Sequence, residues 1–186
     1  GVDWVRTGGA VLSLVTGRDS YGGSTITQQL IKNLTDDNEV SLTRKLREIF
    51  RALNFEQKYS KDEIIEAYLN VVNFGNGCRG VQSAANTYFD KDISECSAAE
   101  CAAIAGITQN PSAFNPLIYP ENNKIRREIV LGEMHNQGML SDEEYKQAME
   151  ESANMVFTNS GSNDEGDEEK SEFRSWYIDT LYSDIH

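Results

Sequence analysis

The sequence is poor in histidine, cysteine and proline, and these shortages narrow the classes of protein it can belong to. Only two histidines and three cysteines occur in 186 residues, and no pair of cysteines has the C-x-x-C spacing, so we expect no zinc site built from these side chains. The three prolines all lie between Pro111 and Pro120, and the sequence before them is rich in helical periodicity. We find no signal peptide and no apolar run long enough to span a bilayer.

Acidic side chains outnumber basic ones, but most of the excess lies at one end. The formal net charge is -13. Residues 142–186 carry 13 acidic and 3 basic side chains, whereas residues 1–141 carry 17 and 14. Because no broad basic stripe could neutralise phosphates along a polynucleotide, we expect no nucleic-acid partner. The local basic groups are Arg44, Lys45, Arg47 and Arg51, and then Lys124, Arg126 and Arg127.

Apolar residues recur at helical spacing over most of the chain, so we predict a fold that is mainly α. A capping box formed by Thr25 and Gln28 begins the first helix, and Ser41 caps the second. The second helix has an apolar stripe formed by Leu42, Leu46, Ile49, Phe50 and Leu53. The predicted helices span residues 25–34, 41–59, 61–69, 81–89, 98–107, 122–137 and 142–152. A glycine-rich turn at 73–80 and an extended proline-containing loop interrupt them, and the acidic segment 158–171 is predicted to be a flexible linker.

The first predicted helix has a polar arc opposite Ile26 and Leu30. The arc is formed by Thr25, Gln28, Gln29 and Lys32. Two glycines precede this helix, so its free N–H groups, together with Lys32 one turn further on, suit a phosphate and hydroxyl-bearing groups such as sugars. The alternative is a solvated helix face, which spacing alone favours.

Glu48 in the second helix lies opposite the apolar stripe, with Arg44 four residues before it and Arg51 three residues after it. One interpretation is a surface ladder of ion pairs. The other is a carboxylate held ionised beside an anionic substrate. Periodicity alone favours the ladder. Surface or capping positions are likewise the usual interpretation of Tyr68, Asn70, Arg126 and Arg127.

Three segments together carry a resemblance to a known family. They are GGSTITQQLIKN at 22–33, RKLRE at 44–48 and IIEAYLN at 64–70. The trio resembles the second, third and fourth motifs of the peptidoglycan glycosyltransferase domain, glycosyltransferase family 51, of class A penicillin-binding proteins. Residues 110–131 resemble the fifth region of that family. The resemblance covers about residues 1–140 of the chain.

The resemblance implies a lysozyme-like, two-lobed helical domain at the outer face of the cytoplasmic membrane. Such an enzyme polymerises lipid II into β-1,4 glycan strands with inversion, and the lipid diphosphate leaves. The implied partners are lipid II, the growing glycan strand, the membrane surface, moenomycin-type inhibitors and a transpeptidase domain in the same parent chain. No cofactor is expected to be essential, although a divalent cation at the diphosphate is compatible with the resemblance.

The motifs also assign roles to individual residues. Glu48 matches the second catalytic carboxylate of the family. The residues that match substrate-binding positions are Ser24, Thr25, Gln28, Gln29, Lys32, Asn33, Arg44, Lys45, Tyr68, Asn70, Arg126 and Arg127. The resemblance implies that Gln29 and Lys32 hold the sugar and diphosphate of the donor, and that Arg126 or Arg127 adds a further cation.

The chain departs from the family in two places. The first motif, which carries the general base, is expected just upstream of Gly1, so residues 1–186 alone are expected to be inactive in transfer while still binding the diphosphate. Asn73 stands where many relatives have a tyrosine.

Residues 7–17 fall where relatives have an apolar region that touches the bilayer, with ordinary core as the equal alternative. The expected organisation is a glycosyltransferase domain at 1–157, the linker at 158–171 and the start of a following segment at 172–186.

Two rival functions and one disulfide hypothesis accompany this interpretation. A lysozyme-like hydrolase would need two carboxylates flanking a sugar bond, but not the cationic cluster. A non-catalytic lipid II-binding module is the second rival. An environment outside the membrane permits disulfides, so one hypothesis is that Cys78 pairs with Cys101, or else with Cys96. The alternative, which we favour, is three reduced, buried thiols.

Overall fold

The structure, a computed structural model, describes residues 24–35, 41–160, 180–181 and 183, without the side chain of Leu42. The described residues form seven α-helices and one 3-10 helix at Ile93–Glu95, and no strands. The helices are α1 (Ile26–Thr35), α2 (Leu42–Lys58), α3 (Lys61–Val71), α4 (Val81–Phe89), α5 (Ala98–Ile107), α6 (Pro120–Asn136) and α7 (Asp142–Ala153). The prediction of a mainly α fold is confirmed. No helix in this described part has the length and apolar character that a membrane span requires.

Capping chemistry places most helix ends where the sequence predicts them. The Thr25–Gln28 capping box is present, with the Thr25 backbone N–H donating to Gln28 Oε1 at 2.8 Å, and the Ser41 hydroxyl accepts from the Arg44 N–H at 3.1 Å. α6 begins two residues earlier than predicted, because Pro120 fits the first turn of a helix. The sequence analysis missed the 3-10 helix, which Asp92 caps.

The chain divides into two compact units: residues 1–71 together with 167–186 form the first, and residues 72–166 form the second. In the first unit, α1 packs against both α2 and α3. The prediction of a solvated polar arc is wrong for Gln28, which is fully buried, and Ile26 on the predicted apolar side is 44% exposed, whereas Leu30 is buried. The reason is local: the Gln28 side chain folds back to close the capping box, and two neighbouring helices cover the same stretch of α1.

The predicted apolar stripe of α2 is also largely wrong. Leu46 and Phe50 are 54% and 64% exposed, whereas Lys45 and Glu48 are buried. Among the described side chains of the stripe, Ile49 is buried as predicted and Leu53 is half-buried. The inward face of α2 is thus partly ionic, which is tolerated only when the buried charges are paired.

In the second unit, α5 packs against α6 and α7. Alanines let these helices approach closely, and they surround Leu131 in a cluster completed by Ala99, Ala102 and Ala148. The glycine-rich turn before α4 is fixed by the Tyr88 hydroxyl, which donates to the Phe74 carbonyl at 2.8 Å. Burial raises the pKa of Tyr88 well above its ordinary value.

The proline-containing loop between α5 and α6 is held by one buried amide. Asn123 is fully buried, and its Nδ2 donates to the carbonyls of Ala103 at 3.1 Å and Phe114 at 3.0 Å. Its Oδ1 accepts from Arg127 Nη1 at 3.1 Å. Asn123 therefore ties the end of the loop to α5 and to the next turn of α6.

The first residues of the predicted linker are attached to the helical body. The Thr158 backbone N–H donates to the Tyr88 carbonyl at 2.9 Å, and its hydroxyl donates to the Thr87 carbonyl at 3.2 Å. The rest of the predicted linker after residue 160, the apolar segment 7–17 and most of the predicted following segment lie outside the described residues.

The three cysteines are free. Cys78 is buried, and its Sγ lies 3.3 Å from the hydroxyl of Thr87. Cys101 Sγ lies instead 3.9 Å from the carbonyl oxygen of Cys96. The pairing of Cys78 with Cys101 or Cys96 is not formed in this structure, because the Cys78 Sγ lies against Thr87 and 3.8 Å from the Asn76 carbonyl oxygen. The alternative of three reduced thiols agrees with the structure, although only Cys78 is fully buried.

Replacing Asn123 with alanine should lower the free energy of unfolding by about 2–3 kcal/mol, since the change removes the hydrogen bonds of this buried amide to two carbonyls and one guanidinium N–H. Urea unfolding followed by circular dichroism measures this effect. Asn136→Ala, at an exposed position of the same helix, is the control and should change stability by less than about 0.5 kcal/mol. Equal effects of the two substitutions would show that the hydrogen bonds of Asn123 contribute little to stability.

Candidate functional site

Glu48 is the centre of a buried ionic cluster in the first unit. It is only 5% exposed, and one carboxylate oxygen accepts from Arg44 Nη1 at 2.7 Å. The other accepts from Lys45 Nζ. The interpretation of Glu48 as a member of a surface ladder is wrong, because the carboxylate is removed from solvent and both of its oxygens are paired.

The trio of Arg44, Lys45 and Glu48 carries one positive charge in excess. Burying it costs solvation free energy that the two ion pairs offset only when their geometry is good. The Nε of Arg44 is buried and has no partner among the described residues. A cluster with surplus positive charge and an unsatisfied donor is suited to an anion that completes its hydrogen bonds.

Lys45 joins this cluster to the beginning of α1. Its Nζ donates to the Ser24 hydroxyl at 2.7 Å, just before the first helical residue. The N-terminal end of α1, with its partial positive charge, thus lies at the same place as the Lys45 ammonium. Within the described residues, the buried Nε2 of Gln28 likewise has no partner.

α3 contributes one hydroxyl that orients a side chain of α1. Tyr68 is buried, and its hydroxyl donates to Gln29 Oε1 at 3.2 Å. The Nε2 of Gln29 donates to the Ser24 carbonyl at 3.3 Å. The Gln29 amide is therefore held in one orientation from both sides.

The remaining predicted residues of the first unit lie at its surface or near it. Lys32 is exposed one turn beyond Gln28 and Gln29, and Asn33 is half-buried. Asn70 donates to the Glu66 carbonyl of its own helix at 2.9 Å. The structure thus unites Ser24, Thr25, Gln28, Gln29, Arg44, Lys45, Glu48 and Tyr68 in one connected network.

The two predicted arginines belong to the second unit, and their surroundings differ. Arg127 is buried; its Nε donates to the Ser152 hydroxyl at 2.7 Å and its Nη2 to the Ser152 carbonyl, and its guanidinium lies over the Phe157 ring. Burial lowers the pKa of Arg127 from its ordinary value. These contacts fasten α6 to α7 and engage the whole guanidinium.

Arg126 is half-buried, and its Nε has no partner among the described residues. The aliphatic part of the Arg126 side chain packs against α5 at Gly106. A Cβ added at Gly106 would lie 3.0 Å from Arg126 Cγ. The absence of a side chain at Gly106 therefore allows the stem of Arg126 to lie close to α5.

Sequence reasoning missed one buried link beside this network. The Thr27 hydroxyl, on the buried side of α1, donates to the carboxylate of Glu56. Glu56 lies about two helical turns after Glu48 and so on a neighbouring line of α2. The sequence signal that could have predicted this link is the second glutamate, Glu56, eight residues after Glu48 in the same predicted helix.

Comparison with known proteins identifies the family. The family model described as "Transglycosylase" matches residues 1–135. Penicillin-binding protein 1F of Bacillus subtilis is 41% identical over 145 residues, which cover 77% of this chain and 20% of that protein. Penicillin-binding protein 1A of Streptococcus pneumoniae is 40% identical over 152 residues, which cover 80% and 21%. The crystal structure of Penicillin-Binding Protein 1A from Haemophilus influenzae is similar with a TM-score of 0.50 at 30% identity, over 73% of this chain and 17% of that one.

This chain belongs to the transglycosylase family, as its three motifs predicted. It spans about a fifth of the length of the curated relatives it matches. The mainly helical architecture agrees with that of the structural neighbour.

Replacing Lys45 with methionine should lower the free energy of unfolding by about 3 kcal/mol, because the buried Glu48 carboxylate loses one of its two cations. Chemical denaturation at pH 7 measures this loss. Lys61→Met, at the exposed start of α3, is the control and should be nearly neutral. The double variant Lys45→Met/Glu48→Gln should lose clearly less stability than the sum of the single changes. Strict additivity would show that Lys45 and Glu48 are not coupled.

Proposed function

We propose that this chain is the glycosyltransferase part of a peptidoglycan polymerase that joins lipid II units into β-1,4 glycan strands, with inversion and release of the lipid diphosphate. The observation that carries the proposal is the buried, positively charged cluster of Arg44, Lys45 and Glu48 at the N-terminal end of α1. A diphosphate leaving group needs fixed cations and N–H donors where its charge develops. Two of the three family motifs meet in this cluster.

The cations of the first unit would act on the departing diphosphate. Lys45 is held between Glu48 and Ser24. Its ammonium group therefore need not move when the bond between the donor sugar and the diphosphate breaks. Lys32 is exposed and free to reach toward bound substrate from the same helix as Gln29. The N-terminal end of α1 adds its partial positive charge beside Ser24 and Thr25.

In this proposal Glu48 acts mainly through its neighbours. Its carboxylate is occupied by two cations, so it holds Arg44 and Lys45 in place and balances part of their charge when substrate is absent. The general base that deprotonates the acceptor hydroxyl would come from the first family motif, expected upstream of residue 1. One carboxylate cannot easily serve the attacking hydroxyl and the departing diphosphate on opposite faces of the sugar.

The other substrate-binding assignments belong to the same proposal, which the contacts of Gln29 support. The amide of Gln29, oriented by Tyr68, would bind a sugar hydroxyl of the donor. Asn33 and Asn70 would border the same sugar. Of the two arginines, we assign the further cation to Arg126, since the guanidinium of Arg127 is engaged within its own unit.

We propose that no cofactor is essential to this reaction. Among the described residues, no group of three or more His, Cys, Asp and Glu side chains is placed to hold a metal ion. A divalent cation at the diphosphate would therefore take most of its ligands from phosphate oxygens and water. Moenomycin-type inhibitors, which carry a phosphate-bearing group, would compete for the same cations, and a transpeptidase domain would follow in the parent chain.

The rival functions make different demands on this cluster. A lysozyme-like hydrolase needs a carboxylic acid free to donate to the glycosidic oxygen, whereas both carboxylate oxygens of Glu48 are occupied by Arg44 and Lys45. A non-catalytic lipid II-binding module would keep the cations and lack turnover. Measurements of both binding and polymerisation separate this second rival from the enzyme.

Glu48→Gln and Lys32→Ala should each lower lipid II polymerisation by about 10²-fold or more, because each change weakens the stabilisation of the leaving diphosphate. The measurement is the formation of glycan strands from labelled lipid II by a protein that carries this chain together with the upstream family motif. Circular dichroism should show unchanged helical content for both variants.

Matched controls are Glu66→Gln, at an exposed position of α3, and Lys146→Ala, at an exposed position of α7. Both controls should polymerise lipid II at the unmodified rate. Near-normal polymerisation by Glu48→Gln or Lys32→Ala would remove the role proposed for that residue. If the unmodified protein binds lipid II without polymerising it, the binding module is the correct function.

We further propose an extracytoplasmic location at the membrane surface, where α2 offers one contact. Leu46 and Phe50 are exposed one turn apart, and the exposed Arg47 follows Leu46. Exposed apolar side chains next to a basic one are suited to the boundary between acyl chains and anionic headgroups. This contact would hold the site beside a lipid-linked substrate.

The double variant Leu46→Ser/Phe50→Ser should bind vesicles that contain phosphatidylglycerol about tenfold more weakly, because it removes the apolar side chains that enter the headgroup layer. Sedimentation with vesicles measures the bound fraction. Ile125→Ser/Ile129→Ser removes an equally exposed apolar pair from α6 and should leave binding unchanged. Equal losses in the two double variants would contradict the assignment of the contact to α2.

A further inference from the structure

Two cysteines flank the capping box that begins α5. Ser97 is the N-cap residue, and its hydroxyl accepts from the Glu100 N–H at 3.1 Å while the Glu100 carboxylate accepts from the Ser97 N–H at 2.9 Å. Cys96 directly precedes the N-cap, and Cys101 directly follows Glu100. The two cysteines thus occupy the positions on either side of the box that commonly pack against each other as an apolar pair.

The observed contacts agree with that packing. Cys101 Sγ lies 3.9 Å from the Cys96 carbonyl oxygen, so the Cys101 side chain leans back over the residue before the helix. Both cysteines are half-buried. Burial, followed by the charge of Glu100, raises the pKa of both thiols, that of Cys96 to about 11.

The third cysteine, Cys78, is not placed to form a disulfide with either of them. Cys78 is buried in the turn before α4, where its Sγ lies against the Thr87 hydroxyl. A pairing of Cys78 with Cys96 or Cys101 would have to break that contact. Cys96 and Cys101 are therefore the pair whose positions the fold already brings together.

We propose that Cys96 and Cys101 form an intramolecular disulfide that closes the first turn of α5. The proposal rests on the proposed extracytoplasmic location only for its occurrence in the cell, where an oxidising environment lets disulfides persist. Other contacts hold the same turn: Lys91 Nζ donates to Glu100 at 2.7 Å, and the Ser97 hydroxyl donates to Glu151 at 2.6 Å. The disulfide would link the residue before the N-cap covalently to the first turn of α5, beside the contact of Ser97 with Glu151 of α7.

The reaction is a thiol–disulfide exchange with an oxidant of the glutathione disulfide class. The Cys96 thiolate, which lies outside the helix and near the Lys91 ammonium, attacks one sulfur of the oxidant and releases the first thiolate. The Cys101 thiolate then attacks the mixed disulfide at the Cys96 sulfur and releases the second. The two cysteines lose two electrons and two protons, and the oxidant becomes two thiols.

The experiment equilibrates the purified 186-residue chain with mixtures of reduced and oxidised glutathione and then traps the remaining thiols by alkylation. Cys96 and Cys101 share one tryptic peptide, residues 92–124. In its disulfide form this peptide is lighter by the mass of two hydrogens and carries no alkyl group. Cleavage after Glu100 should leave its two parts joined until a reductant is added.

The expected result is a disulfide between Cys96 and Cys101, with Cys78 alkylated only after unfolding. Because the pKa values of both thiols are raised, the rate of formation should rise about tenfold from pH 7 to pH 8 as the thiolate fraction grows. The Tm of the oxidised chain should exceed that of the reduced chain. Cys96→Ser should abolish this difference, and Cys78→Ser should preserve it.

Two results would overturn the proposal. One is the recovery of three alkylated cysteines under oxidising glutathione, and the other is a disulfide that includes Cys78. Peptide mapping of the unmodified chain decides between these outcomes, even if a variant does not fold. Neither result bears on lipid II polymerisation, so failure of this inference is distinguishable from failure of the proposed function.

Discussion

The first unit depends on the balance of charge around one buried carboxylate. Glu48 is acceptable inside the unit only because Arg44 and Lys45 pair with both of its oxygens. Lys45 in turn holds Ser24 and, with it, the beginning of α1. The orientation of α1 toward α2 and the placement of the site are therefore consequences of the same electrostatic requirement, and neither could change without leaving a buried charge unpaired.

This arrangement explains why charged side chains are buried while apolar ones are exposed on α2. A helix stabilised only by apolar burial would turn Leu46 and Phe50 inward and leave Glu48 in solvent. The structure shows the opposite orientation. Some apolar burial is given up here so that two cations are held in fixed positions around a buried carboxylate.

The helices could be predicted from the sequence because their ends depend on local chemistry. The Thr25–Gln28 box, the Ser41 cap and the glycine-rich turn before α4 are all visible within a few residues of sequence. Which side of a helix is buried depends on its neighbours, and this is where periodicity failed. α1 is covered by two helices, so Gln28 is buried on a side that spacing assigned to solvent.

The sequence predicted the candidate residues of the first unit better than it distinguished the two arginines of the second unit. The motifs identified Lys45 and Glu48, but only the structure shows that Ser24 and Tyr68 link them to α1 and fix the Gln29 amide. Arg126 and Arg127 are adjacent and chemically identical in the sequence. Their difference arises from packing, since one guanidinium is enclosed by α7 and the other is not hydrogen-bonded through its Nε.

Gly106 has a consequence for how this family can vary over evolutionary time. Because a methyl group at that position would lie 3.0 Å from Arg126 Cγ, the reach of the Arg126 guanidinium is set by a residue of a different helix that carries no functional group. A lineage could therefore move this cation by a few tenths of an ångström through a change at Gly106 alone. The position of the Arg126 side chain could then change while every charged residue of the chain stays the same, and a comparison of charged residues alone would not detect it.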